Sequence, residues 1–244
     1  MIEIRALTQH SEFTDAVALQ KIIWGFEEIE LLPVRLFVTA TKVGGQAFGA
    51  FEGSRMVGFC LAIPGIKPPG KVYLHSHMLG VLKGYRDHGV GRLLKLAQRD
   101  DALARGIDLI EWTFDPLEIK NAYFNIERLG AVVRRFVFNQ YGTTSSHLHA
   151  GLPTDRCFAE WHIGSPRVKA LLDGAVLERA NTVARIAIPF NIYTLKDHDP
   201  PRAREIQTRV SAEFQEYFAK GLAVTAFERT PEAGTYLLSI WDSK

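Results

Sequence analysis

Two groups of residues in this chain have the types and spacing to do chemistry. The first is Arg86-Asp87-His88-Gly89-Val90-Gly91, set between an apolar run that ends at Val81 and a helical pattern that begins at Val90. A strand that enters a glycine turn and then a helix start presents backbone N–H groups, reinforced by the helix dipole, to an anion such as a pyrophosphate. The second group is strand-borne. His75 and His77 are two residues apart in the apolar run, so alternation aims both imidazoles at one face. An imidazole titrates near ~6.5 and accepts a proton near neutrality. Glu111 stands in the otherwise apolar stretch from Ile107 to Phe114. A carboxylate there is costly to bury alone, so it is expected to face a cleft or to pair with an arginine.

The spacing of the loop narrows the anion. A mononucleotide loop needs Gly-x-x-x-x-Gly-Lys-Ser/Thr; Gly84 and Gly89 supply the glycines, but Val90 and Gly91 stand where the lysine and the hydroxyl belong. A dinucleotide fingerprint beginning at Gly89 wants a third small residue where Leu94 stands. What remains is Arg/Gln-x-x-Gly-x-Gly/Ala, with Val81 five residues before Arg86. These residues resemble the acyl-CoA-binding segment of the GCN5-related N-acetyltransferase (GNAT) superfamily.

The resemblance implies acetyl-CoA or another acyl-CoA as co-substrate. Arg86, Asp87, His88, Gly89, Val90, Gly91 and Arg92 would form the pyrophosphate cradle, and Leu79, Gly80 and Val81 the strand edge that pairs with the pantetheine arm. Counting back from Arg86, His75 falls where the histone-modifying branch of the family carries its glutamate base; this chain departs by having histidine, with Glu111 as a further base candidate. Many members carry a tyrosine that protonates the departing thiolate, within Asn-x-x-Ala-x-x-Phe-Tyr-Glu-x-x-Gly. Aligned on Gly130, Ala122 and Glu127 match, whereas Ile126 holds the tyrosine position. Tyr123, one turn earlier, is the substitute acid, and Asn121 and Asn125, four apart, are candidate hydrogen-bond partners for the pantetheine or a phosphate.

These residues need elements to position them. The pattern predicts a strand over 2–7, a helix capped by Ser11 over 12–24, a helix over 34–41, and a hairpin of 47–51 with 56–63 around Glu52-Gly53-Ser54-Arg55. Pro64, Pro68 and Pro69 are expected to break the chain before a strand over 72–81. A helix over 90–105, a strand over 107–114, a helix over 116–129 stopped by Gly130, and a strand over 131–141 follow. This order also resembles that of the acyltransferase superfamily. The expected fold is α/β (α+β): a mixed, mostly antiparallel sheet flanked by helices, with a core over 1–142. Residues 143–244 read as an extension that completes the sheet or forms a small α+β lobe. Its signals are strands over 157–163 and 183–188, a helix capped by Asp199 and ended by Gly221, and a hairpin of 222–227 with 235–241.

Composition sets the remaining bounds. With 47% apolar and 23% charged residues the chain is of globular type. A formal net charge of +2, with no run of five basic residues, gives no footprint for nucleic acid. Cys60 and Cys157 lie in apolar runs and read as buried free thiols in a reducing compartment. No stretch of ~18 apolar residues and no signal-peptide pattern occurs, so a cytoplasmic protein without membrane contact is expected, as monomer or homodimer. His75/His77 and His147/His149 invite a zinc reading, but no supporting Cys or carboxylate spacing accompanies them, and no metal is expected. The expected activity is direct transfer of an acyl group to the primary amine of a small molecule such as an amino acid. The alternatives are a CoA-binding regulatory module without turnover and a metal-dependent hydrolase.

Overall fold

The computed structural model describes residues 1–142 and 151–241. They divide into two compact units, the first ending at Glu111 and the second beginning at Trp112. The sequence reading separates the chain after 142, where its family pattern ends; packing separates it earlier, inside a strand.

The first unit opens with β1 (Ile2–Ala6), α1 (His10–Trp24) and α2 (Val34–Lys42), followed by β2 (Gln46–Glu52), β3 (Arg55–Lys67) and β4 (Lys71–Val81). Then come α3 (Val90–Ala104) and the start of β5 (Leu109–Phe114). β1 to β4 pair antiparallel in sequence order, and β5 joins β4 in parallel. Strand alternation splits the core in two. Phe59 and Leu61 pack with Phe13, Leu19 and Phe37 from α1 and α2, while Cys60 packs with Val90 and Leu94 of α3.

Two expectations are corrected here. α1 starts at His10 behind Gln9, not behind Ser11, because the Glu12 carboxylate accepts the N–H groups of Thr8 (2.8 Å) and Gln9 (3.0 Å). A charged acceptor that satisfies two orphan donors outweighs a single hydroxyl. Pro64 does not break the chain: β3 runs to Lys67, since its pairing with β2 stops at Ala62 and the missing proline N–H falls on an edge without a β2 partner.

The second unit begins with the end of β5 and with α4 (Ile119–Tyr123), which widens into a π-type turn over Phe124–Arg128. β6 (Val132–Val137), β7 (Arg156–His162), α5 (Pro166–Leu172), β8 (Ala184–Pro189) and α6 (Ile192–His198) follow. α7 (Pro200–Ala219), β9 (Leu222–Arg229) and β10 (Ala233–Ile240) complete it. Its strands lie in the order β7-β6-β9-β10-β8, antiparallel throughout. Tyr236 anchors the core edge-on to Phe214 and Phe227, with ring centroids 5.0 and 4.7 Å apart. Asp199 caps α7 as expected, accepting the Arg202 N–H at 3.2 Å.

The helix expected from Pro116 starts later, at Ile119, because Asp115 Oδ1 takes the Leu117 N–H (2.8 Å) in a local turn. The strand expected to reach Tyr141 ends at Val137, before Asn139 adopts a φ of 42°. α5 and α6 were not expected, although Ser165 followed by Pro166 is a helix-start signal and the Ser165 hydroxyl accepts the Val168 N–H. Cys60 and Cys157 are buried and free. Among the described residues no helix is long and apolar enough to cross a membrane.

Phe37 ties α1 and α2 of the first unit to the sheet. It is wholly buried, and its ring lies 6.1 Å from Phe13 of α1 and 5.9 Å from Phe59 of β3. Phe37→Ala is expected to lower unfolding free energy by ~3–5 kcal/mol, measured by urea denaturation. A loss under ~1 kcal/mol would show that this junction is not a packed core.

Candidate functional site

The features that can do chemistry gather around β4 in the first unit. Its C-terminal end feeds the loop over 82–89, in which Asp87 has a φ of 64° and Gly89 one of 81°. Gly89 is the N-cap of α3 and has no side chain of its own to cap the helix. The left-handed φ explains why the motif demands glycine at this point. Its consequence is a helix start whose first N–H groups face outward from exposed loop residues. Arg86 folds back and donates from Nε to the Val81 carbonyl at 3.0 Å, tying the loop to the strand end. These are the residues of the stretch 86–92 that the sequence reading expects to cradle an anion.

β4 itself is irregular at the critical place. Met78 pairs with Leu61 and Ser76 with Ala62, so His77 is an extra residue, a β-bulge. A bulge bends its strand and disrupts the ladder. The parallel register with β5 covers Leu74–Ile110 and His75–Glu111, and from His77 to Val81 no β5 partner occurs among the described residues. Leu79, Gly80 and Val81, the residues expected to pair with an extended arm, lie in this stretch.

The bulge leaves both imidazoles near each other, with ring centroids 6.0 Å apart. His75 and Glu111 are direct register neighbours, so their side chains share one face. Glu111 is buried, and its cation is Lys67 of β3 rather than the expected arginine. The Lys67 ammonium also lies 5.1 Å from the centre of the Tyr73 ring, and that ring crosses Gly65, where a Cβ would sit 2.4 Å from it. Lys67 and Tyr73 are additions that the sequence reading lacks; the only signal was a lone carboxylate that required a partner. Burial holds the His77 pKa below its ordinary value, so this imidazole is neutral at neutral pH.

Beneath β4, Ser76 joins the histidine strand to the cradle helix. Lys95 of α3 donates to Ser76 Oγ at 2.8 Å, and Ser76 donates to Gln98 Oε1 at 2.9 Å. Gln46 of β2 donates to the Gln98 carbonyl (2.8 Å) and to Asp101 (2.6 Å). Burial pulls the Lys95 pKa down to about 7.

The remaining expected residues belong to the second unit. Tyr123 is half-buried, with Arg229 above its ring; Asn121 is exposed and Asn125 buried. Ile126, at the usual tyrosine position, is fully buried. Arg134 and Arg135 pair with Glu160, and Arg167 donates to the carbonyls of Gly130 and Thr225. Among the described residues no group of three or more His, Cys, Asp or Glu can hold a metal ion. His147 and His149 lie outside the described residues.

No protein-family profile and no curated protein sequence matches the chain. Solved structures match its fold. A GNAT-family acetyltransferase from Streptococcus pneumoniae is 16% identical, covers 66% of this chain and 98% of its own, and superposes with a TM-score of 0.52. The ribosomal-protein-S18-alanine N-acetyltransferase from Escherichia coli is 17% identical over 68% of this chain and 96% of its own, with a TM-score of 0.52. Arabidopsis thaliana Naa50, solved with the bisubstrate analogue CoA-Ac-MVNAL, is 15% identical over 65% and 97%, with a TM-score of 0.52. At such identities the likeness concerns architecture: the chain has the α/β fold of GNAT acetyltransferases.

The buried lysine generates a pH prediction. Its folded pKa of about 7 lies below its ordinary 10.5, so between these values the unfolded chain binds more protons. Stability must then rise with pH across that window, the cost being fully present below it. Wild type minus Lys95→Met stability, from urea melts, is expected to increase from pH ~7.5 to ~9.5. A difference that stays flat or falls would contradict a lysine held neutral in the fold.

Proposed function

We propose that the chain is an acyl-CoA-dependent N-acyltransferase that passes an acetyl or other short acyl group directly to the primary amine of a small molecule such as an amino acid. The observation that carries this reading is the placement, at and beside β4, of a helix start behind Gly89, an edge from His77 to Val81 without a β5 partner among the described residues, and His75 as the register neighbour of Glu111 on β5. The fold supports it, as does the CoA-peptide analogue held by the Arabidopsis neighbour.

In this reading Asp87 to Arg92 bind the pyrophosphate through helix-start amides, and Leu79 to Val81 align the pantetheine arm. The acceptor nitrogen bonds to the thioester carbonyl carbon as the C–S bond breaks. The proton shed by nitrogen passes to His75, whose imidazole is oriented beside Glu111, the latter charge-balanced by Lys67. The departing sulfur takes up one proton. Tyr123 is the proposed acid on the sequence resemblance alone. A small acceptor is preferred on the same sequence grounds, although Naa50 is named with a peptide analogue.

Calorimetry with acetyl-CoA and succinyl-CoA tests the cofactor; absence of binding at millimolar ligand would overturn it. His75→Ala is expected to lower acylation of an amine panel by ~10²-fold or more while acyl-CoA affinity stays within about twofold of wild type. Unchanged turnover would remove His75 from the reaction. The buried Ile126 favours one second reading, a CoA-binding module without turnover. A thiol-release assay separates the two, since the module would bind acyl-CoA and release no thiol with any amine.

A further inference from the structure

The second unit carries a cleft of about 680 Å³ between the end of α4, the end of β9 and Phe190. That volume lies in the range of small-molecule sites. We infer that this cleft is a binding site for a small carboxylate with an apolar or aromatic body, held by Arg229.

The argument is one of charge accounting. Four charged side chains line the cleft: Glu127, Arg179, Glu228 and Arg229. Glu228 is already matched twice, by Arg179 and by Arg185 at 2.8 Å. Glu127 accepts the Phe227 backbone N–H at 2.6 Å, and its charge is felt by the half-buried Arg167. Arg229 has no carboxylate partner among the described residues. Its guanidinium carbon instead lies 5.2 Å from the centre of the Tyr123 ring and 5.7 Å from that of Phe190. Rings at this range engage the flat faces of a guanidinium, whereas its N–H donors lie in the plane and remain available.

The result is an exposed cation with a restrained geometry, beside aromatic surface, in a concave site. A carboxylate matches the planar fork through two parallel hydrogen bonds, and an apolar body matches the rings. A cationic ligand would meet Arg229 and Arg179 without a free carboxylate pair to offset them. The inference does not depend on acyl transfer, and its test uses no acyl-CoA.

The probes are phenylacetate and phenethylamine, titrated separately into the full chain and followed through the Arg Nε–H signals in heteronuclear NMR. Phenylacetate is expected to saturate with a Kd on the order of 1 mM and to shift one arginine signal, absent in Arg229→Leu. The variant should bind about tenfold more weakly, and Arg229→Lys, which keeps the charge but loses the fork, should also weaken binding. Far-UV circular dichroism checks that both variants fold; Arg229 is exposed, and Arg229→Gln replaces Arg229→Leu if the latter does not fold. The inference is overturned if phenylacetate fails to saturate by ~20 mM, if the variants bind it as wild type does, or if phenethylamine binds as tightly.

Discussion

The first unit depends on a strand that is paired along one edge and, among the described residues, paired along only part of the other. Buried backbone groups must find partners, so a sheet strand without a neighbour is tolerated only where another group can supply one. β4 meets this constraint by changing character along its length. It is paired on both edges at Leu74 and His75, then carries a bulge at His77, and beyond that pairs with β3 and, among the described residues, with no other strand. A molecule that entered along the edge with an extended arm would meet the helix start at one end and the His75–Glu111 rung at the other. Six residues of strand at ~3.3 Å each separate these ends by ~20 Å, so an extended ligand, rather than a compact one, fits the spacing.

The buried polar chain below β4 shows how that geometry is kept. Ser76 lies between the two histidines and points the opposite way, toward α3, where Lys95 and Gln98 hold it. The same helix begins at the cradle. A charged or half-charged lysine in a core is expensive, and an apolar residue would pack there at lower cost. What the polar chain adds is direction: hydrogen bonds at 2.8 and 2.9 Å fix the register of strand against helix more narrowly than methyl contacts can. Cys60, on the same face, donates weakly to the Leu94 carbonyl at 4.0 Å, its thiol pushed up to about 12 by burial.

Much of this was legible in the sequence because it is local. Gly89 takes a positive φ, Val90 starts a helix, and Val81 ends a strand, so the turn and its flanking elements are written in adjacent residues. The pairing of His75 with Glu111 was half legible. Each residue was a candidate by its own chemistry, but their register neighbourhood depends on a parallel crossover through α3. The bulge at His77 was not legible, since it is a mismatch between two strands and appears in neither alone. Lys67 was missed for a related reason: it follows Pro64, which reads as a break, and only the loss of β2 pairing after Ala62 lets β3 carry it on. The π-type turn over Phe124–Arg128 likewise defeats a 3.6-residue reading, which puts Asn121 and Asn125 on one face when one is exposed and the other buried.

The second unit applies a different physical solution to its own polar groups. Its carboxylates are matched by arginines: Glu160 of β7 by Arg134 and Arg135 of the neighbouring β6, Glu228 of β9 by Arg179, which precedes β8, and by Arg185 of β8, two strands away. Burial works against an ionised Glu160, yet hydrogen bonds from His162 and Arg134 hold its pKa at about 2, so the pair persists across the physiological range. Two arginines per carboxylate leave a surplus of positive charge, and the fold disposes of it by stacking. Arg135 lies over Phe158, with its guanidinium 4.4 Å from the ring centre, and Arg229 lies between Tyr123 and Phe190. A ring face compensates a guanidinium only in part, by ~0.5–1 kcal/mol at an exposed site, much less than a charge-assisted fork supplies. Of these two stacked arginines, Arg135 also reaches Glu160. Arg229 does not, and that difference separates a cation that completes the fold from one that is left to meet something else.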